Sequence, residues 1–160
     1  MMQHIDILAV GALKEPAYAA ACAEYAKRLG AFCRLRIVEI SECRLPKNPG
    51  AAQIAACLEA EGAAILAKLP PKAHVIALCI EGGQLTSEQL AATLDKLRGQ
   101  APDLAFVIGG SHGMADAVKK RAGLRLSMSR MTFPHQLARV MLLEQVYRAF
   151  SITAGKMYHK

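Results

Sequence analysis

No tryptophan occurs in this chain of 160 residues, and aromatic residues make up only 5% of it. Stacking of bases on an aromatic platform is therefore a poor source of affinity for any nucleic-acid partner. Carboxylates nearly vanish after residue 116, where Glu144 stands alone, which disfavours a paired-carboxylate site or metal-assisted hydrolysis in that half. His112, His135 and His159 are too far apart for a local metal motif such as H-E-x-x-H, and no metal is expected. There is no G-x-G-x-x-G fingerprint, and no glycine-rich loop ends in Lys-Ser or Lys-Thr. The first apolar strand ends in a lone Gly11, so a cofactor, if one binds, binds late in the chain. The five cysteines are odd in number and ten or more residues apart, matching neither a zinc pattern nor a secreted disulfide framework. They are expected to be reduced, buried small hydrophobes.

Hydrophobic residues reach 53% and mean hydropathy is +0.21, yet no uncharged apolar run approaches the roughly 20 residues that cross a bilayer. No membrane partner is expected. The N-terminal MMQHIDILAVG lacks a basic region ahead of its apolar run and carries His4 and Asp6 inside it, so it reads as a strand and not as a signal peptide. A cytoplasmic location is the resulting expectation. The length fits one domain, 1–160, able to bury roughly 70% of the surface of its unfolded form.

The charge is uneven. From residue 119 onward nine Lys and Arg face one acid, giving +8 for that stretch and −1 for the 118 residues before it. Such asymmetry is a footprint for a polyanion, most often nucleic acid, with a solubilising face as the alternative. Phosphate contacts would carry the affinity, and binding would be salt-sensitive.

Along the chain, residues 3–10 read as a strand and 16–29 as a helix opened by Pro16. A strand follows over 32–40, then a Pro- and Gly-containing loop over 41–50 and a helix over 51–68. A pattern then repeats: apolar strand, glycine corner, helix. HVIALCI (74–80) leads to Glu81-Gly82-Gly83 and a helix capped by Thr86 or Ser87. LAFVIGG (104–110) leads to Ser111-His112-Gly113 and a short helix, and Leu124–Leu126 feeds a Ser-rich loop. Alternating strands and helices predict a parallel sheet covered on both faces, with ligands beyond the carboxyl ends of its strands. All three corners should share that edge.

The last corner runs into LSMSRMTFPHQLARVMLLEQVY (126–147). Pro134 marks the start of a helix over 135–154, with Thr132 placed as its N-cap or near it. A helix start offers free N–H groups to a polar or anionic ligand. The helix is apolar on more than one side, which calls for a second apolar partner, most economically the same helix of another subunit. Glu144 and Arg148 stand in the favourable order for an ion pair. His135 and Arg139 share a face at the end nearest the ligand edge and are the candidates for function.

FVIGGSHG (106–113), LSMSRMTFPHQLARVMLLEQVYRAFSI (126–152) and the terminal YHK (158–160) resemble the small SPOUT-class methyltransferases that act on pseudouridine in large-subunit ribosomal RNA. The resemblance extends to the N-terminal ILAVG and EYAKRL and covers essentially the whole chain. It implies a three-layer α/β fold with a C-terminal trefoil knot, a homodimer, and S-adenosylmethionine-dependent methylation of N3 of a pseudouridine in 23S RNA of the ribosome. It places the cofactor at Leu78, Gly109, Gly110 and along Met128, Ser129, Arg130, Met131, Thr132 and Phe133. It gives substrate contact to the tail, Tyr158, His159 and Lys160. The proposed roles are charge stabilisation by Arg139, substrate positioning by His135 and proton acceptance by His159. Two other readings compete: a non-catalytic RNA- or ribosome-binding module, and a SPOUT enzyme acting on another RNA such as transfer RNA.

Overall fold

The computed structural model describes residues 2–158. Five strands form one fully parallel sheet in the order β2-β1-β4-β3-β5: β1 (Gln3–Val10), β2 (Cys33–Ile40), β3 (His74–Gly83), β4 (Asp103–Ile108) and β5 (Leu124–Leu126). The helices are α1 (Pro16–Leu29), α2 (Ala51–Lys68), α3 (Ser87–Arg98), α4 (Asp116–Arg121) and α5 (His135–Thr153).

The side-chain period of two decides which layer each strand residue joins. Ile5, Ile7, Leu104, Phe106 and Ile76 point to one face and pack with Cys22, Leu29, Leu94, Leu142 and Val146 of α1, α3 and α5. Leu8, Val10, Val75, Ala105 and Val107 point to the other and meet Ile65 and Val118 of α2 and α4. Three layers result, and strands buried on both faces explain their near-continuous apolar character. β3 runs three residues beyond the expected end, to Gly83. Gly83 pairs with Leu126 of β5 after a shift in register from Leu78, and Ser127 N–H donates to the Gly83 carbonyl at 2.9 Å.

Local signals account for the helix ends. Thr86 caps α3, its hydroxyl accepting from Gln89 N–H at 3.1 Å while the Gln89 side chain accepts from Thr86 N–H at 2.8 Å. Helix α1 has no side-chain cap of its own. Instead the Gln136 amide oxygen of α5 accepts from Lys14 N–H at 2.9 Å and Glu15 N–H at 3.3 Å.

Three expectations need correction. Thr132 does not cap α5: Pro134 is the N-cap, with φ −54 and ψ 140, and Phe133 and Pro134 separate Thr132 from the helix. The cysteines are not all reduced, because Cys43 in the β2–α2 loop and Cys57 on α2 form a disulfide with their Cα atoms 5.5 Å apart. A separation of 14 residues carries no motif, so only the folding of the loop back onto the helix reveals the pair. The many-sided apolar surface of α5 is largely covered within the chain, since α5 lies on the sheet against both α1 and α3. No helix of the described residues is long and apolar enough to cross a membrane.

Candidate cofactor and substrate site

The carboxyl ends of β3, β4 and β5 and the start of α5 surround a cavity of about 650 Å³. Its walls come from all three corners: Leu78 to Glu81, Ile108 to Ser111 with Gly113 and Met114, and Ser127 to Ser129 with Met131 to His135. Lys119 and Ala138 complete it. The lining is mainly apolar with backbone polar groups at the corners, and the volume falls within the roughly 300–1,000 Å³ usual for small-molecule sites.

Each wall has a local cause. Gly113, with φ +91, lets the 110–113 turn close, and its N–H donates to the Gly110 carbonyl at 3.1 Å. A side chain at Gly109 would collide with the Gly113 carbonyl, so that turn can fold against β4 only with glycine there. The serines of the third wall hold their own loop: Ser127 Oγ donates to the Ser129 carbonyl at 2.9 Å, and Met131 N–H donates to Ser129 Oγ at 3.0 Å. These short side chain-to-backbone bonds replace the ladder that the chain leaves at Leu126.

Leu78, Gly109, Gly110, Met128, Ser129, Met131, Thr132 and Phe133 all line the cavity; Arg130 does not, and it is exposed on the loop. His135 lies on the rim beside Gly11, whose φ is +92 and whose added Cβ would sit 3.1 Å from His135 Nε2. Arg139, one turn on, points elsewhere. Its side chain is 3% exposed, with Nη1 donating to Glu39 Oε2 at 3.0 Å and Nη2 to the Gly11 carbonyl at 2.9 Å. The guanidinium ties the ends of β1 and β2 to α5 beneath His135.

Tyr158, the first residue of the expected substrate-contacting tail, does not line the cavity. Tyr158 packs edge-on against Tyr147 with ring centroids 4.8 Å apart and donates to Glu144 Oε1 at 3.2 Å. Glu144 also accepts from Arg148 at 2.6 Å, the ion pair expected from their spacing. Burial, a hydrogen bond with Tyr25 and the Glu144 carboxylate push the Tyr158 phenol up to about 12. His159 and Lys160 fall outside the described residues.

Several residues were not legible beforehand. Cys79 follows Leu78 along the strand end that leads to the Glu81 corner, and the carboxyl-edge rule could have found it. Lys119, paired with Glu81, reaches the cavity from α4 and leaves no sequence signal. Ser111 Oγ donates to Glu42 Oε1 at 3.3 Å, where the cavity meets a second hollow of about 470 Å³ lined by Lys14, Arg44, His112 and Glu61. Among the described residues no group of three His, Cys, Asp or Glu side chains could hold a metal ion.

Comparison with known proteins bears on the family and the fold. A family model described as "predicted SPOUT methyltransferase" matches residues 2–159. A protein of Bacillus pumilus and one of Listeria monocytogenes, each named ribosomal RNA large subunit methyltransferase H, are 49% identical over 98% of this chain and 99% of their own length. Among solved structures, a putative methylase family protein from Neisseria gonorrhoeae superposes with a TM-score of 0.58 at 15% identity, over 99% of this chain and 86% of that one. A probable methyltransferase from Bordetella pertussis gives 0.57 at 15%, over 93% and 95%. At that identity these two structures speak for the fold alone. Full-length agreement with the family model and near-half identity to whole relatives show that this chain belongs to the SPOUT methyltransferase family.

Proposed function

We propose that this chain is an S-adenosylmethionine-dependent methyltransferase that methylates N3 of a pseudouridine in the 23S RNA of the large ribosomal subunit. The observation that carries the reading is the cavity at the three sheet corners, lined by every residue that the family resemblance assigns to the cofactor except Arg130. The relatives named ribosomal RNA large subunit methyltransferase H support the substrate class.

The cavity fits the cofactor. Leu78, Ile108 and Met128 offer an apolar bed for a purine, and the glycine corner lets backbone approach closely. When bound, the cofactor supplies a methyl group activated as a sulfonium. The chain's residues have the other tasks. N3 of the base carries a weakly acidic proton, so the site must accept it or stabilise the resulting anion. His135, on the rim, positions the base; Arg139 acts through its hold on Gly11 and Glu39, which sets the floor beneath His135. His159 is proposed as the proton acceptor and Lys160 as a substrate contact.

Tyr158 packs on Tyr147 and Glu144 of α5 and does not line the cavity of its own chain, which supports a tail acting across a homodimer. An open groove of about 410 Å³ between α3 and α5, bordered by Leu85, Leu90, Val140 and Met141, offers apolar surface for such a contact. The cytoplasm, where ribosomes are assembled, is the proposed location.

Calorimetric titration with S-adenosylhomocysteine tests the reading. Micromolar binding to the wild type is expected, lost in Gly109→Val/Gly110→Val, followed by methyl transfer to ribosomal particles. No heat and no thermal stabilisation of the wild type would remove the enzymatic reading.

A further inference from the structure

Resting on that reading, we propose that the basic strip along α4, β5 and the α2–β3 turn seats the RNA backbone flanking the target nucleotide. The strip starts at the cofactor cavity, because Lys119 lines the cavity while Lys120 and Arg121 continue along α4. From Lys119 to Arg121 the helix rises about 3 Å at 1.5 Å per residue. There Arg121 Nη2 donates to the carbonyls of Ala73 at 3.0 Å and Pro71 at 3.3 Å, placing Lys72 beside it. Alongside runs β5, the edge strand of the sheet, with Arg125 at its centre and exposed.

The arginines are held, not loose. Arg121 is tied through one terminal nitrogen, and Arg125 through Nε to the Lys119 carbonyl at 3.2 Å. Each guanidinium therefore keeps further N–H donors in a fixed orientation, an arrangement suited to phosphate oxygens. Two acids stand nearby: Glu81, which pairs with Lys119, and Asp116 in the first turn of α4. With one acid neutralised, the strip keeps a net positive charge that runs up to the cavity mouth. A backbone lying on it would present a base to the cofactor without a contact that reads sequence.

The test is Lys72→Glu/Lys120→Glu/Arg125→Glu, leaving Arg121 because it anchors the α2–β3 turn. Binding to protein-free large-subunit RNA is measured against salt concentration, beside methyl transfer to ribosomal particles, thermal melting and S-adenosylhomocysteine titration. We expect unchanged melting and cofactor binding, RNA affinity down at least about tenfold, and a salt slope reduced by roughly 2–3 at about 0.7–0.9 per phosphate contact. RNA binding and transfer equal to the wild type would overturn the strip and leave its charges as protection of an open sheet edge. Loss of binding to particles with binding to protein-free RNA kept would also overturn it, pointing to a ribosomal protein as the contact. A wild type that methylates no ribosomal RNA would overturn the functional reading, and the strip with it.

Discussion

Arg139 and Gly11, 128 positions apart, are joined by a hydrogen bond of 2.9 Å from guanidinium to backbone carbonyl. The bond crosses from α5 to the end of β1, and the same side chain reaches Glu39 at the end of β2. Arg139→Met removes both, and the loss of hydrogen bonds to a charged group lowers stability by about 2–3 kcal/mol. Urea unfolding measures it. Arg139→Lys recovers only part, because an ammonium cannot span two acceptors in a fixed fork. An unmoved midpoint in the Met variant would mean that the clamp carries no weight.

The Cys43–Cys57 disulfide closes a loop across 14 residues, for which chain entropy gives about 3 kcal/mol. Oxidised protein should show three free thiols, Cys22, Cys33 and Cys79, and reduced, unfolded protein all five. Cys43→Ser/Cys57→Ser should melt lower than the oxidised wild type and match it once reductant is added.

Cys79 reports on the cavity that it lines. Burial and the Glu81 carboxylate raise its thiol above the ordinary value, while burial pushes Cys33 up to about 11. At pH 8 a small alkylating reagent should react slowly with Cys79 and leave the buried Cys22 and Cys33 untouched. S-adenosylhomocysteine should slow it further. Modification of Cys79 at an equal rate with saturating ligand would place the ligand elsewhere.

The Tyr158 phenol, raised from 10 to about 12 in the folded chain, links the tail to alkaline stability. The folded state holds this proton more tightly than the unfolded state does. The contribution is therefore fully present below pH 10 and falls away as pH rises from 10 through 12. Tyr158→Phe should be less stable at neutral pH and lose less between pH 10 and 12, as followed by circular dichroism.

Elements of long period were legible in the sequence. The apolar runs of β1 and β4, Pro16 at the head of α1 and the cap at Thr86 each follow from local chemistry. The corners that wall the cavity were legible because strand ends share one edge in any parallel sheet. Three-dimensional reach was not. Nothing near Arg139 in sequence says that its guanidinium turns from the rim to Glu39 and Gly11. The pairing of Cys43 with Cys57 likewise depends on a loop whose composition announces only that it is a loop. The stretch Met128 to Phe133, which the family resemblance assigns to a cofactor, lines the cavity except at the exposed Arg130.

The position of α5 and the 127–133 loop in the chain order has a consequence for biosynthesis. At about 5–20 residues per second, β1 leaves the ribosome many seconds before the segments that wall the cavity and clamp β1 to α5. Until then the nascent chain has strands but no place for a ligand. A product ending at β5 would contain all five strands yet lack both the Arg139 clasp and most of the third wall. Synthesis of α5 and closure of the cavity are thus nearly one event.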